Sequence, residues 1–180
     1  ELTIQKIMDR YGYKEIRTPA FENTDVFLRG VGQETDIVSK EMYSWTDQGG
    51  NNLTLKPELT APVVRSFIQH NLGQINSINK LYYIDSLFRR ERPQKGRYRE
   101  FHQFGVEVFG SEYPEVDVEV IALAMYVFNN MGLENLTLNL NSIGSPECRK
   151  NYRDTIKDFL EPHFDDLSKT SQDRYNNNPL

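Results

Sequence analysis

Arg89–Glu107 reads RRERPQKGRYREFHQFGVE, a burst of positive charge in an acidic chain that runs straight into a patterned strand. Between Arg89 and Arg99 stand six Lys or Arg (Arg89, Arg90, Arg92, Lys95, Arg97, Arg99) against the single acid Glu91, so the segment carries +5 while the whole chain carries −5. Guanidinium groups match phosphate oxygens two at a time and stay charged at any physiological pH. Such a local inversion predicts a polyanion held at one place rather than spread over a surface.

Pro93–Gly96 predicts a turn between an outgoing strand, Lys80–Phe88, and a returning antiparallel one, Arg99–Gly110. Side chains alternate along a strand, so Phe101, Gln103, Gly105 and Glu107 share one face and His102, Phe104, Val106 and Val108 the other. The second set reads as core, with His102 structural. The first offers an aromatic plate, an amide, a gap without a side chain and a carboxylate in apolar surroundings. That set suits a nucleotide held beside a small polar molecule.

Outward from this hairpin, 180 residues with 38% hydrophobic and 26% charged content predict a single globular domain over 1–180. No apolar run approaches the ~18 residues a membrane span needs, and no charged leader precedes an apolar stretch, which predicts a soluble, cytoplasmic protein without membrane partners. Cys148 is the single cysteine, so no internal disulfide forms, and it reads as inert near a helix start. His70, His102 and His163 lack metal-ligand spacing, so no metal site is expected on the protein itself. The chain opens inside a helical pattern without an initiating Met and ends at Asn178, Pro179 and Leu180, where a further element can begin. It reads as a piece of a longer protein.

Ile4, Ile7, Met8 and Tyr11 recur at helical spacing and Gly12 stops the pattern. Lys14–Phe21 reads as extended, with Pro19 marking an edge or interface strand. Glu22–Asp47 reads as strand and loop, bent at Gly30 and Gly32, and Gly49–Asn52 as a hairpin turn before Leu53–Leu55. Thr60 is the expected N-cap of a helix that carries Pro62 in its first turn and closes at Gly73. A strongly apolar helix is predicted from about Glu115 to Met131, opened by Pro114 and ended by Gly132. Leu136, Leu138 and Leu140 alternate with Thr137, Asn139 and Asn141 and predict a strand. Ser145 and Pro146 predict the cap and first turn of a helix to about Leu160, with another after Pro162. Tyr82, Tyr83 and Phe109 read as core or interface aromatics. The mixed order predicts an α+β fold on a largely antiparallel sheet flanked by helices.

Three stretches resemble the class II aminoacyl-tRNA synthetases, and within them the histidyl-tRNA synthetase family: KEIRTPAFENTDVF from Lys14, LKPELTAPVVR from Leu55, and LYYIDSLFRRERPQKGRYREFHQFGVEVFG from Leu81. The tail, LNSIGSPECRKNY and NNNPL, is similar to the family's following segment. The resemblance implies part of a class II catalytic domain that activates L-histidine with ATP to histidyl-adenylate and transfers it to tRNA(His). Arg89 resembles the catalytic arginine on the ATP α-phosphate, where developing charge is stabilised. Arg97 resembles the γ-phosphate arginine, Glu91 the residue facing the adenine amino group, and Phe101 the ring on which adenine stacks. Glu58, Thr60 and Gln103 resemble groups that bind the α-amino group of histidine, and Glu107 the carboxylate that accepts from its imidazole. Arg92 and Gln94 are similar to residues meeting the tRNA acceptor end. The resemblance further implies Mg²⁺ carried by the ATP phosphates and a homodimer built on the first helix and the Pro19 segment.

Two stretches depart from the resemblance. Lys56 stands where the family usually has arginine, and Asp85 and Ser86 stand where a Gly-Pro pair is often found. The family's later motifs lie beyond Leu180, so the chain alone is not expected to complete a catalytic cycle. An alternative that the resemblance leaves open is the synthetase-like regulatory subunit of ATP phosphoribosyltransferase, which senses rather than ligates. A plain RNA-binding hairpin is a third.

Overall fold

The computed structural model describes residues 1–31, 41–92, 94–142, 144–177 and 179. They fall into two compact units, Glu1–Leu136 and Thr137–Leu180.

In the first unit, α1 (Leu2–Tyr11) buries Ile4, Ile7 and Met8 at the expected spacing. Gly12 takes a left-handed φ of 76° and closes the helix: its N–H donates to Asp9 and that of Tyr13 to Met8, which satisfies two terminal carbonyls. The extended segment that follows divides. β1 (Lys14–Glu15) and β2 (Phe21–Asn23) join different sheets, and Pro19, which has no N–H for a ladder, lies in the link.

The next stretch corrects an expectation, because α2 (Thr24–Val31) is a helix where strand and loop were expected. Phe27 is completely buried and anchors it. Gly30 is no bend: a Cβ there would lie 2.8 Å from the Cβ of Ala61, so the glycine lets two helices approach closely. Gly32, the other expected bend, lies outside the described residues. β3 (Ser44–Thr46) and β4 (Asn52–Leu55) form the expected hairpin, with Gly50 at φ 82° in its turn. β2 completes a three-stranded antiparallel sheet in the order β2-β4-β3.

α3 (Thr60–Gln69) and the short α4 (Leu72–Ile75) lead into β5 (Asn79–Phe88) and β6 (Glu100–Phe109), the two long strands expected from the sequence. They pair antiparallel in unbroken register from Asn79 opposite Phe109 to Phe88 opposite Glu100, and β1 adds in parallel on the far side of β5. One face of this hairpin, with Tyr82, Ile84, Phe104, Val106 and Val108, packs on Ile4, Ile7 and Met8 of α1 and on Leu123 and Val127 of α5 (Pro114–Asn130). The other face contributes Leu81, Tyr83 and Leu87 to a second cluster with Leu59 and Val63, flanked by Phe101 and Phe109. Tyr82 and Tyr83 are therefore core, as expected. His102 is not: it is exposed, and its Nε2 lies 3.2 Å from the Ser86 hydroxyl.

The second unit holds α6 (Pro146–Leu160), a 3-10 helix (Glu161–Asp166) and α7 (Lys169–Asn177). Ser145 caps α6 as predicted, its hydroxyl accepting from the Cys148 N–H at 3.1 Å. The strand expected over Leu136–Asn141 does not form. Those residues carry no regular secondary structure and no ladder partner among the described residues, and Leu140 is 75% exposed. Alternation marks a segment fit for a sheet, but a strand needs a neighbour. No helix among the described residues is long and apolar enough to cross a membrane.

Candidate functional site

The site is built where β4 hands over to α3 beneath the β5–β6 hairpin. Lys56 is 2% exposed and locks this junction. Its N–H donates to the Ala20 carbonyl, its own carbonyl accepts from Phe88, and its ammonium donates to the Thr18 carbonyl and pairs with the Asp85 carboxylate. The next residue, Pro57, offers its carbonyl to Arg89 Nε at 2.8 Å.

Glu58 follows and corrects the capping expectation. The helix starts after Leu59, and the cap is the Glu58 carboxylate, which accepts from the N–H of Thr60 at 2.8 Å and of Ala61 at 3.0 Å. A carboxylate at a helix N-terminus satisfies free donors and meets the positive end of the dipole. Burial pushes the Glu58 carboxyl above its ordinary range, the N–H bonds pull it down, and the Glu107 charge pushes up again. With its backbone committed to Glu58, Thr60 turns its hydroxyl to Glu107, donating to Oε1 at 2.8 Å. Thr60 thus links two carboxylates that stand 49 positions apart in the chain.

The expected alternation on β6 holds. Phe101, Gln103, Gly105 and Glu107 lie opposite Leu87, Asp85, Tyr83 and Leu81. Phe101, Gln103 and Glu107 are half-buried rather than sealed in the interior. The Arg89 guanidinium sits 5.2 Å from the Phe101 ring centroid, turned toward this face. The gap expected at Gly105 is filled: the Tyr83 ring lies across it. Tyr83 is 4% exposed, and its hydroxyl donates to the same Glu107 oxygen at 3.3 Å.

Glu91 stands between the loop cations. Its Oε2 lies 3.3 Å from Arg97 Nη1 and its Oε1 3.9 Å from Arg89 Nη1. Arg97 is well exposed, as are Arg92 and Gln94, so such pairs add little stability. They place two guanidinium groups near one carboxylate.

The structure therefore joins Glu58, Thr60 and Glu107 directly, and Arg89 with Phe101, Glu91 and Arg97. Gln103 shares their face, while Arg92 and Gln94 lie out along the loop. A family profile described as histidyl-tRNA synthetase matches residues 1–145. The chain belongs to the histidyl-tRNA synthetase family. It is 55% identical over 177 residues to the histidine–tRNA ligase of Thermoanaerobacter pseudethanolicus, which covers 98% of the chain and 42% of that protein. It is 52% identical over its whole length to the ligase of Protochlamydia amoebophila, again covering 42% of the relative. The chain thus spans well under half the length of these histidyl-tRNA synthetase relatives. In structure it resembles apo histidyl-tRNA synthetase of S. aureus, with a TM-score of 0.73 and 40% identity over 99% of the chain and 41% of that protein. A Bacillus halodurans structure titled ATP phosphoribosyltransferase regulatory subunit/histidyl-tRNA synthetase shares the fold, with a TM-score of 0.65 at 24% identity.

Against this family frame the two departures answer each other, since Lys56 and Asp85 are partners in one ion pair. Tyr83 was missed as a site residue, and its signal was the glycine that the strand register places opposite an aromatic. The Pro57 carbonyl, a backbone group, left none.

Proposed function

We propose that the chain carries the amino-acid and nucleotide half of a histidine–tRNA ligase active site. The observation that carries this is Thr60, which ties the carboxylates Glu58 and Glu107 together beside the Arg89–Phe101 pair. A small molecule that meets this set needs two N–H-rich ends, for two carboxylates, and an anionic centre for a guanidinium. Histidine meeting ATP has all three.

In this reading Glu58, Thr60 and Gln103 take the α-ammonium group. The Thr60 hydroxyl spends its proton on Glu107 and keeps its lone pairs for an incoming N–H. Glu107 accepts from the imidazole, and a site built to pair with a ring N–H rejects an apolar ring, because the buried acceptor would be left alone. Arg89 holds the α-phosphate as a histidine carboxylate oxygen bonds to phosphorus and the bond to the bridging oxygen of pyrophosphate breaks. Arg97 takes the γ-phosphate, Glu91 turns from the two arginines to the adenine amino group, and Phe101 stacks with the base. Catalysis is by positioning and charge, with no covalent enzyme intermediate. Mg²⁺ enters on the ATP phosphates.

Arg92 and Gln94 then face the acceptor end of tRNA(His). The whole protein would be a cytoplasmic class II homodimer, with residues 1–180 forming part of its catalytic domain. Exposed Phe21 and Trp45, in edge-to-face contact at 5.7 Å, supply apolar surface near the Pro19 segment for such an interface.

The test is histidine-dependent exchange between ATP and pyrophosphate in the full-length protein. Exchange that needs histidine, and that falls at least about 100-fold in Arg89→Ala, is the expected result. Histidine binding without any ATP binding would instead support the regulatory subunit, and tight salt-sensitive RNA binding indifferent to histidine a plain RNA module.

A further inference from the structure

Glu107 is held through one oxygen only. The Thr60 hydroxyl at 2.8 Å and the Tyr83 phenol at 3.3 Å both donate to Oε1, and among the described residues no hydrogen bond reaches Oε2. We propose that Tyr83 is a positioning residue for Glu107, pinning Oε1 so that Oε2 is the oxygen presented to a ligand N–H. The inference rests on the proposed function for the identity of that ligand.

Three features support it. First, Tyr83 is fixed. It is 4% exposed, its ring belongs to the cluster of Leu59, Val63, Leu81 and Leu87, and Gly105 directly across the ladder leaves it room. A methyl at Gly105 would lie 2.5 Å from Cζ and 2.6 Å from Cε2 of the ring, closer than real contacts allow. Glycine on this face is therefore a condition for the phenol to reach Glu107.

Second, the phenol stays a donor. Burial, reinforced by the Glu107 charge, pushes its pKa up to about 12, so it holds its proton across the neutral pH range. Third, two donors from different elements, α3 and β5, converge on one oxygen of a β6 carboxylate, which fixes the rotation of the group as one donor does not. A rigid acceptor selects a ligand by where its N–H points.

The experiment compares the full-length protein with Tyr83→Phe and Gly105→Ala. Calorimetry gives the affinities for histidine and for ATP separately, and exchange kinetics give KM and kcat. Tyr83→Phe removes one oxygen and keeps the ring, so histidine affinity should fall about 3- to 10-fold, the worth of one hydrogen bond. KM for histidine should rise in step while kcat and ATP affinity hold within about twofold, since Arg89 and Phe101 keep their own contacts. Gly105→Ala displaces the phenol without deleting it, and should likewise weaken histidine more than ATP.

Histidine affinity unchanged in Tyr83→Phe, or lost in parallel with ATP affinity, overturns the inference and leaves the ligase reading standing. If Tyr83→Phe does not fold, Gly105→Ala decides by the same two affinities. A wild-type protein that binds ATP but no histidine overturns the ligase reading itself, and this inference with it.

Discussion

The β5–β6 hairpin has two faces, and they bury material in different ways. Toward α1 and α5 the middle of the face is apolar, with the Lys80–Glu119 pair at one end and the Ser86–His102 pair at the other: Tyr82, Ile84, Phe104, Val106 and Val108 meet Ile4, Ile7, Met8, Leu123 and Val127. Toward α3 the face is a core with polar groups set into it: Leu81, Tyr83, Leu87 and Phe101 alternate in space with Asp85, Gln103 and Glu107. Charged groups occupy places in a core-like lattice, and each needs a dedicated partner: Lys56 for Asp85, Thr60 and Tyr83 for Glu107, and two backbone N–H groups for Glu58.

If this contrast is right, damage to the two faces should read out differently. The largest effect belongs to the apolar face. Leu123 is 2% exposed between α1 and the hairpin, so Leu123→Ala should cost about 2–5 kcal/mol in denaturant unfolding through lost transfer energy and a cavity. The protein that remains folded should bind histidine and ATP normally. A shift in ligand affinity comparable to the loss of stability would erase the distinction between the faces.

Apart from His102, expected in the core and found exposed, the apolar face was the more legible one. A period of two on β6 and the helical spacing of Ile4, Ile7 and Met8 fix which residues turn inward, because transfer from water acts on every apolar side chain alike. The Gly12 stop and the Ser145 cap could be placed because each satisfies terminal groups locally. On the site face, the positions of Phe101, Gln103 and Glu107 followed from the same alternation, but their partners did not. Tyr83 looks like any core aromatic until the register sets it against Gly105, and Glu58 rather than Thr60 caps α3 because its carboxylate reaches both free N–H groups. The failures elsewhere have the same root. Gly30 sits inside α2 because Ala61 approaches it, and Leu136–Leu140 lacks a strand partner among the described residues. Both depend on contacts distant in sequence, which local pattern does not carry.

A smaller effect is expected where the polar face is held together. Lys56→Met leaves the half-buried Asp85 carboxylate without its cation, keeping only the Ser86 N–H, for which a loss of about 1–3 kcal/mol is expected. Lys56→Met combined with Asp85→Leu removes both charges and should recover more than half of that loss. The single variant should also loosen Arg89, whose Nε is held by the next residue's carbonyl, and so lower exchange activity beyond what stability explains. Additive losses, with the double variant as unstable as the two singles together, would mean that the two groups do not act as a pair.

The smallest effect tests whether a half-buried carboxylate on the site face carries a cost of its own. Burial holds the Glu58 carboxyl above its ordinary value despite the two N–H bonds to it. Between the ordinary carboxyl pKa and the raised one, the folded protein therefore binds more protons than the unfolded chain. In that window stability falls as pH rises, the reverse of the trend produced by a carboxylate whose pKa folding depresses. Thermal unfolding followed at stepped pH should show this downward slope in the wild type and lose it in Glu58→Gln, whose amide oxygen still accepts from the first turn of α3. Equal slopes in the two proteins would mean that the N–H bonds to Glu58 fully offset its burial. The helix cap would then come without strain, and the polar face would be no more costly at this position than the apolar one.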